Sequence, residues 1–303
     1  MYDIIIVGGG PAGLTAAIYA LRAGKTVLVM EKNSFGGQIA FSPKVENIPG
    51  TIQISGAAFA DALVEQAMHL GADVELETVT GVTKENGRFQ VTTEEGSTFD
   101  AGAVILAVGV KHRMLGLPGE AELVGNGLSF CAVCDGAFYT GQEVAMIGGG
   151  NSAMQEALLL SEVCSKVTII QNLADFTGER KLADALLARD NVTVHFSTVV
   201  TGYKTENGTL TGLELRNDAT GETGEIAVDG AFLAVGLIPE NAAFAQLATL
   251  NDWGYFATGE DCLTATEGLF VAGDCRQKAI RQVVTASADG AVAATAACRY
   301  LDR

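Results

Sequence analysis

Apolar residues first gather at positions 4 to 7 of the chain, in "DIIIV". The block is short and β-branched, so it predicts a buried strand rather than a helix. A glycine cluster follows, then the alanine-rich "PAGLTAAIYALRAG", which reads as a helix, then "TVLVMEK", a second strand that runs to Glu31. Strand, glycine turn, helix and strand in that order predict a βαβ unit of a parallel sheet. The pattern returns 140 residues on, from Gly8 to Gly148, in "EVAMIGGGNSAMQEALLLSEVCSKVTIIQN" at 143 to 172.

Two further echoes keep the same order. "TKENGRFQV" at 83 to 91 matches "KTENGTLTG" at 204 to 212, each with an Asn-Gly hairpin signal, and "AVILAVGV" at 103 to 110 matches "AFLAVGL" at 231 to 237. After "ATEGLFVAGDC" at 265 to 275 comes an alanine-rich helix that needs a surface to cover. The expected fold is α/β, with two Rossmann-like, three-layer ββα dinucleotide-binding domains, the second inserted into the first. Residues 1–112 and 242–303 are assigned to one domain and 113–241 to the insert, with "GLPGE" at 116 to 120 marking a crossing. A length of 303 residues suits two such cores, and 37 glycines against 5 prolines suit many tight strand-to-helix turns.

The glycines carry the first chemistry. Gly8, Gly10 and Gly13 form G-x-G-x-x-G between a strand and a helix, so the backbone can approach a pyrophosphate at the positive helix end while Glu31 accepts from ribose hydroxyls. In the second copy Gly148, Gly150 and Ala153 take those places. The distance from Gly8 to Glu31 is 23 residues, and from Gly148 the same count lands on Gln171, followed by Asn172. Gln171 has no charge, so it lacks a carboxylate's strength toward ribose hydroxyls and cannot neutralise a 2'-phosphate.

A net charge of −17 excludes nucleic acid and anionic membrane as partners, and no apolar run nears the roughly 20 residues that span a bilayer. The segment "MYDIIIVGGG" has no charged region like that of a signal peptide, so a cytoplasmic protein is expected. In that setting the six cysteines should be mostly reduced, with Cys164, Cys262, Cys275 and Cys298 serving as small packing residues. Cys131 and Cys134 differ. They form C-x-x-C in "FCAVCDGAFY", with no second pair and with His69, His112 and His195 isolated, so no metal site is expected. Two thiols at this spacing make and break a disulfide with little backbone movement, and Asp135 is placed to protonate a leaving thiolate.

The segments "GGGPAG" at 8 to 13, "GGQI" at 36 to 39, "VENIPG" at 45 to 50, "CAVCDG" at 131 to 136, "GGGNSA" at 148 to 153, "AGDC" at 272 to 275 and "RQVVTASADG" at 281 to 290 together resemble the low-molecular-weight flavoprotein thioredoxin reductases over essentially the full chain. The resemblance implies FAD held by Gly8, Gly10, Ala12, Gly13 and Glu31, with Gly37, Gln38 and Asn47 toward the ribityl and ring region. It further implies Gly273 and Asp274 at the ribityl chain and Arg281, Gln282 and Val283 beside the flavin. It implies too that Cys134 faces the flavin while Cys131 attacks a thioredoxin-like partner, in a homodimer whose insert rotates between the two.

Members of that family carry His-Arg-Arg and a further Arg where this chain has Gln171, Asn172, Leu173 and Thr177. Arg180 and Lys181, a few residues on, read as the outside of the helix "ERKLADALLARD". The second glycine site is therefore an altered or vestigial nucleotide site, and NAD(P)H binding is in question. The favoured reading is a thioredoxin reductase fed by NADH, ferredoxin or another low-potential carrier; the alternatives are a conventional NADPH enzyme and a flavin-dependent dithiol oxidase. Dithiol oxidases place histidine after the second cysteine, so Asp135 favours the reductase direction. Lys111, His112 and Arg113, and a patch of Arg276, Lys278 and Arg281, are candidate docking regions for an acidic carrier.

Overall fold

A computed structural model of the chain describes residues 1–42 and 45–303. They form two compact units: Met1–Ala40, Glu46–Lys111 and Ile238–Arg303 make one, and Phe41–Val45 with His112–Leu237 make the other. The chain passes between them through two short strands that pair with each other, Val110–His112 and Leu237–Pro239.

In the first unit the strands Asp73–Glu75, Val27–Met30, Tyr2–Val7 and Thr98–Leu106 run parallel in that spatial order. The apolar block at the start of the chain is central and buried on both faces, which is why it does not alternate with polar residues. Ile4 and Ile6 point to one side, into a core with Leu14, Ala17, Ala293 and Ala294 of the covering helices. Ile5 and Val7 point to the other, with Phe89, Val91 and Phe256. The strand Thr98–Leu106 is long enough to serve two neighbours on its far side. Its first half pairs antiparallel with Arg88–Thr93 and its last residues pair parallel with Leu269–Val271.

The helices Pro11–Arg22 and Val283–Leu301 lie against each other with little between them: a Cβ on Gly290 would come 2.1 Å from the Ala12 carbonyl oxygen. The alanine-rich stretches at both ends of the chain are thus two helices that meet, and small side chains permit that approach.

The second unit repeats the plan with its layers cleanly separated. A parallel sheet of Val192–His195, Lys166–Ile170, Glu143–Ile147, Gly230–Leu233 and Leu128–Ser129 lies between helices and a three-stranded antiparallel meander. Met146, Ile169 and Phe232 face Met154, Ala157 and Leu160 of the helix Asn151–Val163 and Leu186 of the helix Arg180–Leu187. Ala145, Ile147, Ile170 and Leu233 face Leu210, Leu213 and Leu215 of the meander. The fold is α/β with two Rossmann-like dinucleotide-binding halves, each of the ββα kind. The two Asn-Gly signals are hairpin turns, with Asn86 and Gly87 at φ 50° and 79° and Asn207 and Gly208 at φ 51° and 81°. Both residues of such a turn need positive φ, which these residue types tolerate best.

Candidate active site

Cys131 and Cys134 lie at the start of a single helical turn, Ala132–Asp135, and their sulfurs are bonded, with Cα atoms 5.3 Å apart. The backbone of this turn is held from several directions. The Cys131 amide donates to Ser129 Oγ at 3.1 Å, the Ala132 amide to Glu156 Oε2 at 2.8 Å, and the Cys134 amide to Cys131 Sγ at 3.2 Å. The Asp135 amide donates to the Cys131 carbonyl at 3.0 Å. The geometry of the pair is therefore set by its surroundings and not by the four-residue loop alone.

Asp135 accepts from Ser129 Oγ at 2.6 Å and from Ser42 Oγ at 3.3 Å. Burial pushes its carboxyl above the ordinary range, against the lowering effect of those two hydroxyls. A carboxyl so placed, next to Cys134, can hold a proton closer to neutral pH than a free aspartate does. His112 stacks on Phe130, the residue before Cys131, with ring centroids 4.4 Å apart, and burial pushes its imidazole down to about 4, so it is neutral at physiological pH.

The first glycine turn is tight for a stated reason. Gly8 has φ 111°, and a Cβ there would meet the Ala107 carbonyl oxygen at 2.3 Å. Gly10 opens the helix Pro11–Arg22 as its N-cap without any side-chain cap, leaving first-turn amides free of a side-chain acceptor. Glu31 accepts from the Gly9 amide at 2.8 Å and from the Lys32 and Asn33 amides at 3.0 and 3.1 Å, which fixes the carboxylate at the edge of the turn. Gly37 and Gly273 join this group: a Cβ on Gly37 would lie 3.3 Å from the Gly10 Cα, and one on Gly273 2.8 Å from the Ala12 Cβ. Asn47 Nδ2 donates to Gln282 Oε1 at 3.1 Å, and Gln282 caps the helix that begins at Val283. Arg281 lies over the Tyr255 ring at 4.3 Å and its Nε donates to the Asp274 carbonyl. Gln38 is exposed, in the short helical turn Gly37–Phe41.

The second glycine turn copies the first almost bond for bond. The Gly148 amide donates to the Ile170 carbonyl at 2.9 Å as Gly8 does to Met30 at 2.8 Å, and Thr177 donates to Gly149 at 2.9 Å as Gly36 does to Gly9 at 2.8 Å. Gly148 has φ 129°, and a Cβ there would come 2.5 Å from the Ala234 carbonyl oxygen. The copies part at Gln171, which stands where Glu31 stands in the first. Gln171 is 3% exposed and folds inward, its Nε2 donating to the Asp175 carbonyl at 3.0 Å. Asn172 and Thr177 are exposed, and Arg180 is 94% exposed beside Asp184.

Of the other cations singled out in the sequence, Lys111 and Arg113 are exposed and two are drawn inward. Arg276 and Lys278 are buried and both bind Asp289, at 2.8 and 2.9 Å, while Lys111 binds Glu240. Trp253 is 80% exposed in a turn where its amide donates to Asn251 Oδ1. Ser42, Ser129 and Glu156 were not legible as site residues, because each reaches the redox turn through a contact that spacing alone does not reveal.

Residues 2–290 match the family model for pyridine nucleotide-disulphide oxidoreductases. The chain belongs to that family. Within it, the chain is 40% identical over 302 residues to a protein named thioredoxin reductase from Treponema pallidum, covering 99% of this chain and 97% of that one. It is 37% identical to the thioredoxin reductase of Bacillus subtilis, over 100% and 95% of the two chains. The crystal structure of thioredoxin reductase from Streptococcus pyogenes superimposes with a TM-score of 0.93 at 34% identity, over 100% and 98% of the chains. The solved structure of thioredoxin reductase from Giardia duodenalis does so with 0.91 at 31% identity, over 100% and 99%.

The first glycine site of this oxidoreductase fits a dinucleotide. Besides the close backbone approach and the uncapped helix, Asp274 is held there with Oδ1 buried and without a partner among the described residues, and burial pushes its carboxyl up to about 6. A buried carboxylate oxygen without a partner suits a ligand hydroxyl. The second glycine turn shares the close backbone approach, at Gly148, and a helix that opens at Gly150 without a side-chain cap. Among the described residues no cluster of His, Cys, Asp and Glu suits a metal ion, and no helix is long and apolar enough to cross a membrane.

Proposed function

We propose that this oxidoreductase holds FAD at the first glycine site and reduces the disulfide of a thioredoxin-like protein through Cys131 and Cys134. The observation that carries the reading is the Cys131–Cys134 bond in a turn braced on Ser129, with the buried carboxyl of Asp135 beside it. Gly8, Gly10, Ala12, Gly13, Glu31, Gly37 and Gly273 supply the cradle, with Asp274 for the ribityl chain and Asn47, Arg281, Gln282 and Val283 toward the ring. FAD bound there supplies a two-electron carrier.

The remaining steps belong to the chain. Opening the Cys131–Cys134 bond takes two electrons and one proton and leaves one thiol and one thiolate; Asp135 is the group that holds the proton. The Cys131 thiolate attacks the partner's disulfide and expels a partner thiolate, which takes the proton. Cys134, now a thiolate, then attacks the mixed disulfide, re-forming the intramolecular bond and expelling the second partner sulfur as a thiolate, which takes its proton from water. The two sulfurs of this chain end bonded to each other, as they began.

We infer further that the donor is not NADPH. An enzyme that reads a 2'-phosphate needs guanidinium groups on it, whereas here Gln171 is buried on its own loop and Arg180 faces solvent. NADH, reduced ferredoxin or another low-potential carrier remains. The conventional NADPH reading draws on the intact turn from Gly148 to Ala153 and on the full-length relatives. Anaerobic titration with NADPH, then NADH, then reduced ferredoxin, following flavin absorbance, separates the two. Slow or absent bleaching by NADPH with rapid bleaching by one of the others is expected, and rapid bleaching by micromolar NADPH contradicts it.

A further inference from the structure

We propose that Glu156 is a positioning residue of the redox turn: its carboxylate holds the amide between the two cysteines, and its negative charge opposes thiolate formation there. The inference rests on the reading that Cys131 and Cys134 alternate between disulfide and dithiol. Glu156 arrives from outside the turn, on the helix Asn151–Val163, 24 residues beyond Ala132. That helix also opens at the second glycine site, so one rigid element joins the two features.

Ala132 is 2% exposed, so its amide has no ready access to water and Glu156 Oε2, at 2.8 Å, is its acceptor. A buried amide left without an acceptor is costly, so the contact restrains the turn in both redox states. Glu156 is itself half-buried. Burial pushes its carboxyl up to about 7, against the lowering effect of the Ala132 amide. It therefore changes charge within the physiological range. The helix packs on the redox turn, on Gly136–Tyr139, on the strands Glu143–Ile147 and Lys166–Ile170 and on Arg180–Leu187. Those elements carry Asp135, Tyr139, Glu143, Lys166, Arg180, Lys181 and Asp184, and none of these charges contributes to the displacement of Glu156.

Reduction alters the electrostatics at this point. A disulfide is uncharged; two electrons and one proton convert it to a thiol and a thiolate, which places a new anion beside the amide that Glu156 holds. While Glu156 is ionised the two negative charges repel, so the thiol is harder to ionise and the disulfide is favoured. When Glu156 takes up a proton, in addition to the one on the thiol, the repulsion ends. Reduction of the pair is thereby coupled to proton uptake at a group that never touches the partner.

Glu156→Gln separates position from charge, because its side-chain oxygen still accepts from Ala132. The test equilibrates the holoenzyme anaerobically in dithiothreitol redox buffers between pH 6 and 9, quenches by alkylation, and counts modified Cys131 and Cys134 by mass spectrometry. Above pH 7 the Gln variant should shift toward the dithiol by about tenfold, roughly 30 mV for a two-electron couple. Below pH 6.5 the two proteins should converge. Glu156→Ala, which removes the acceptor as well, should differ from wild type at every pH. Superimposable wild-type and Gln curves from pH 6 to 9 would overturn the proposal, whether or not the Ala variant folds. The readout needs no turnover with a partner, so failure here is distinct from failure of the proposed function.

Discussion

Cys134→Ser leaves the protein yellow and lowers its turnover with a thioredoxin-like disulfide by at least about 10³-fold, a barrier increase of about 4 kcal/mol. The expectation follows from the bond between the two sulfurs: serine cannot re-form it, so a mixed disulfide on Cys131 has no intramolecular way out. No other cysteine can substitute. Cys164, Cys262, Cys275 and Cys298 are all buried, and burial pushes Cys164 up to about 11 and Cys262 and Cys275 up to about 12, far from the thiolate form that attacks disulfides. Trapping of a covalent complex with the partner in the serine variant is the companion measurement. Normal turnover with an intact visible spectrum would remove the pair from the mechanism.

Asp289→Ala is expected to cost about 3–5 kcal/mol of stability, because it strips the carboxylate from two buried cations at once. Arg276 Nε and Nη2 donate to Asp289 Oδ2 and Oδ1, each at 2.8 Å, Lys278 Nζ adds a bond at 2.9 Å, and the Gly273 amide donates to Oδ2 at 3.0 Å. The side chains of Arg276 and Lys278 are 1% and 5% exposed, so neither cation can recover its hydration in place. Burial alone pushes the Asp289 carboxyl up, but the bonds from Arg276 and Lys278 outweigh it and hold the group below the ordinary aspartate value. A depressed carboxyl contributes stability that is present above about pH 4 and is lost as pH falls through the lowered value. The gap between wild type and variant in chemical denaturation should therefore be full at pH 7 and narrow in acid. Because Asp289 also anchors Gly273, the variant should release flavin more readily.

The parts of this molecule that repeat were legible from the chain itself. The two glycine turns, the buried strands before them and the Asn-Gly hairpins depend on local backbone demands: a positive φ at Gly8 and Gly148, and at both residues of each turn. Such demands restrict residue type at fixed offsets, and offsets are what a sequence displays. The braces of the redox turn are of another kind. Glu156 reaches Ala132 because a helix lies across the turn, and Ser42 reaches Asp135 across 93 residues of chain. Nothing at either position marks it as more than a polar residue. Arg276 and Lys278 show the same limit from the opposite side. As letters they suggest a basic surface, but the partner that buries them, Asp289, sits on a helix whose packing only the folded chain defines. Gln171 combines both cases, since its missing charge is visible in the sequence while its inward turn toward Asp175 is visible only in three dimensions.

The central claim is that electrons placed on the bound flavin emerge as thiols at positions 131 and 134. It is tested most directly by reducing the purified flavoprotein photochemically without oxygen, adding electrons in measured steps, and mapping alkylated cysteines at each step. The account predicts that the first two electrons per chain appear as modified Cys131 and Cys134 with the flavin still largely oxidised or re-oxidised, and that the four buried cysteines stay unmodified. A flavin that becomes fully reduced and remains so while Cys131 and Cys134 stay bonded to each other would contradict it.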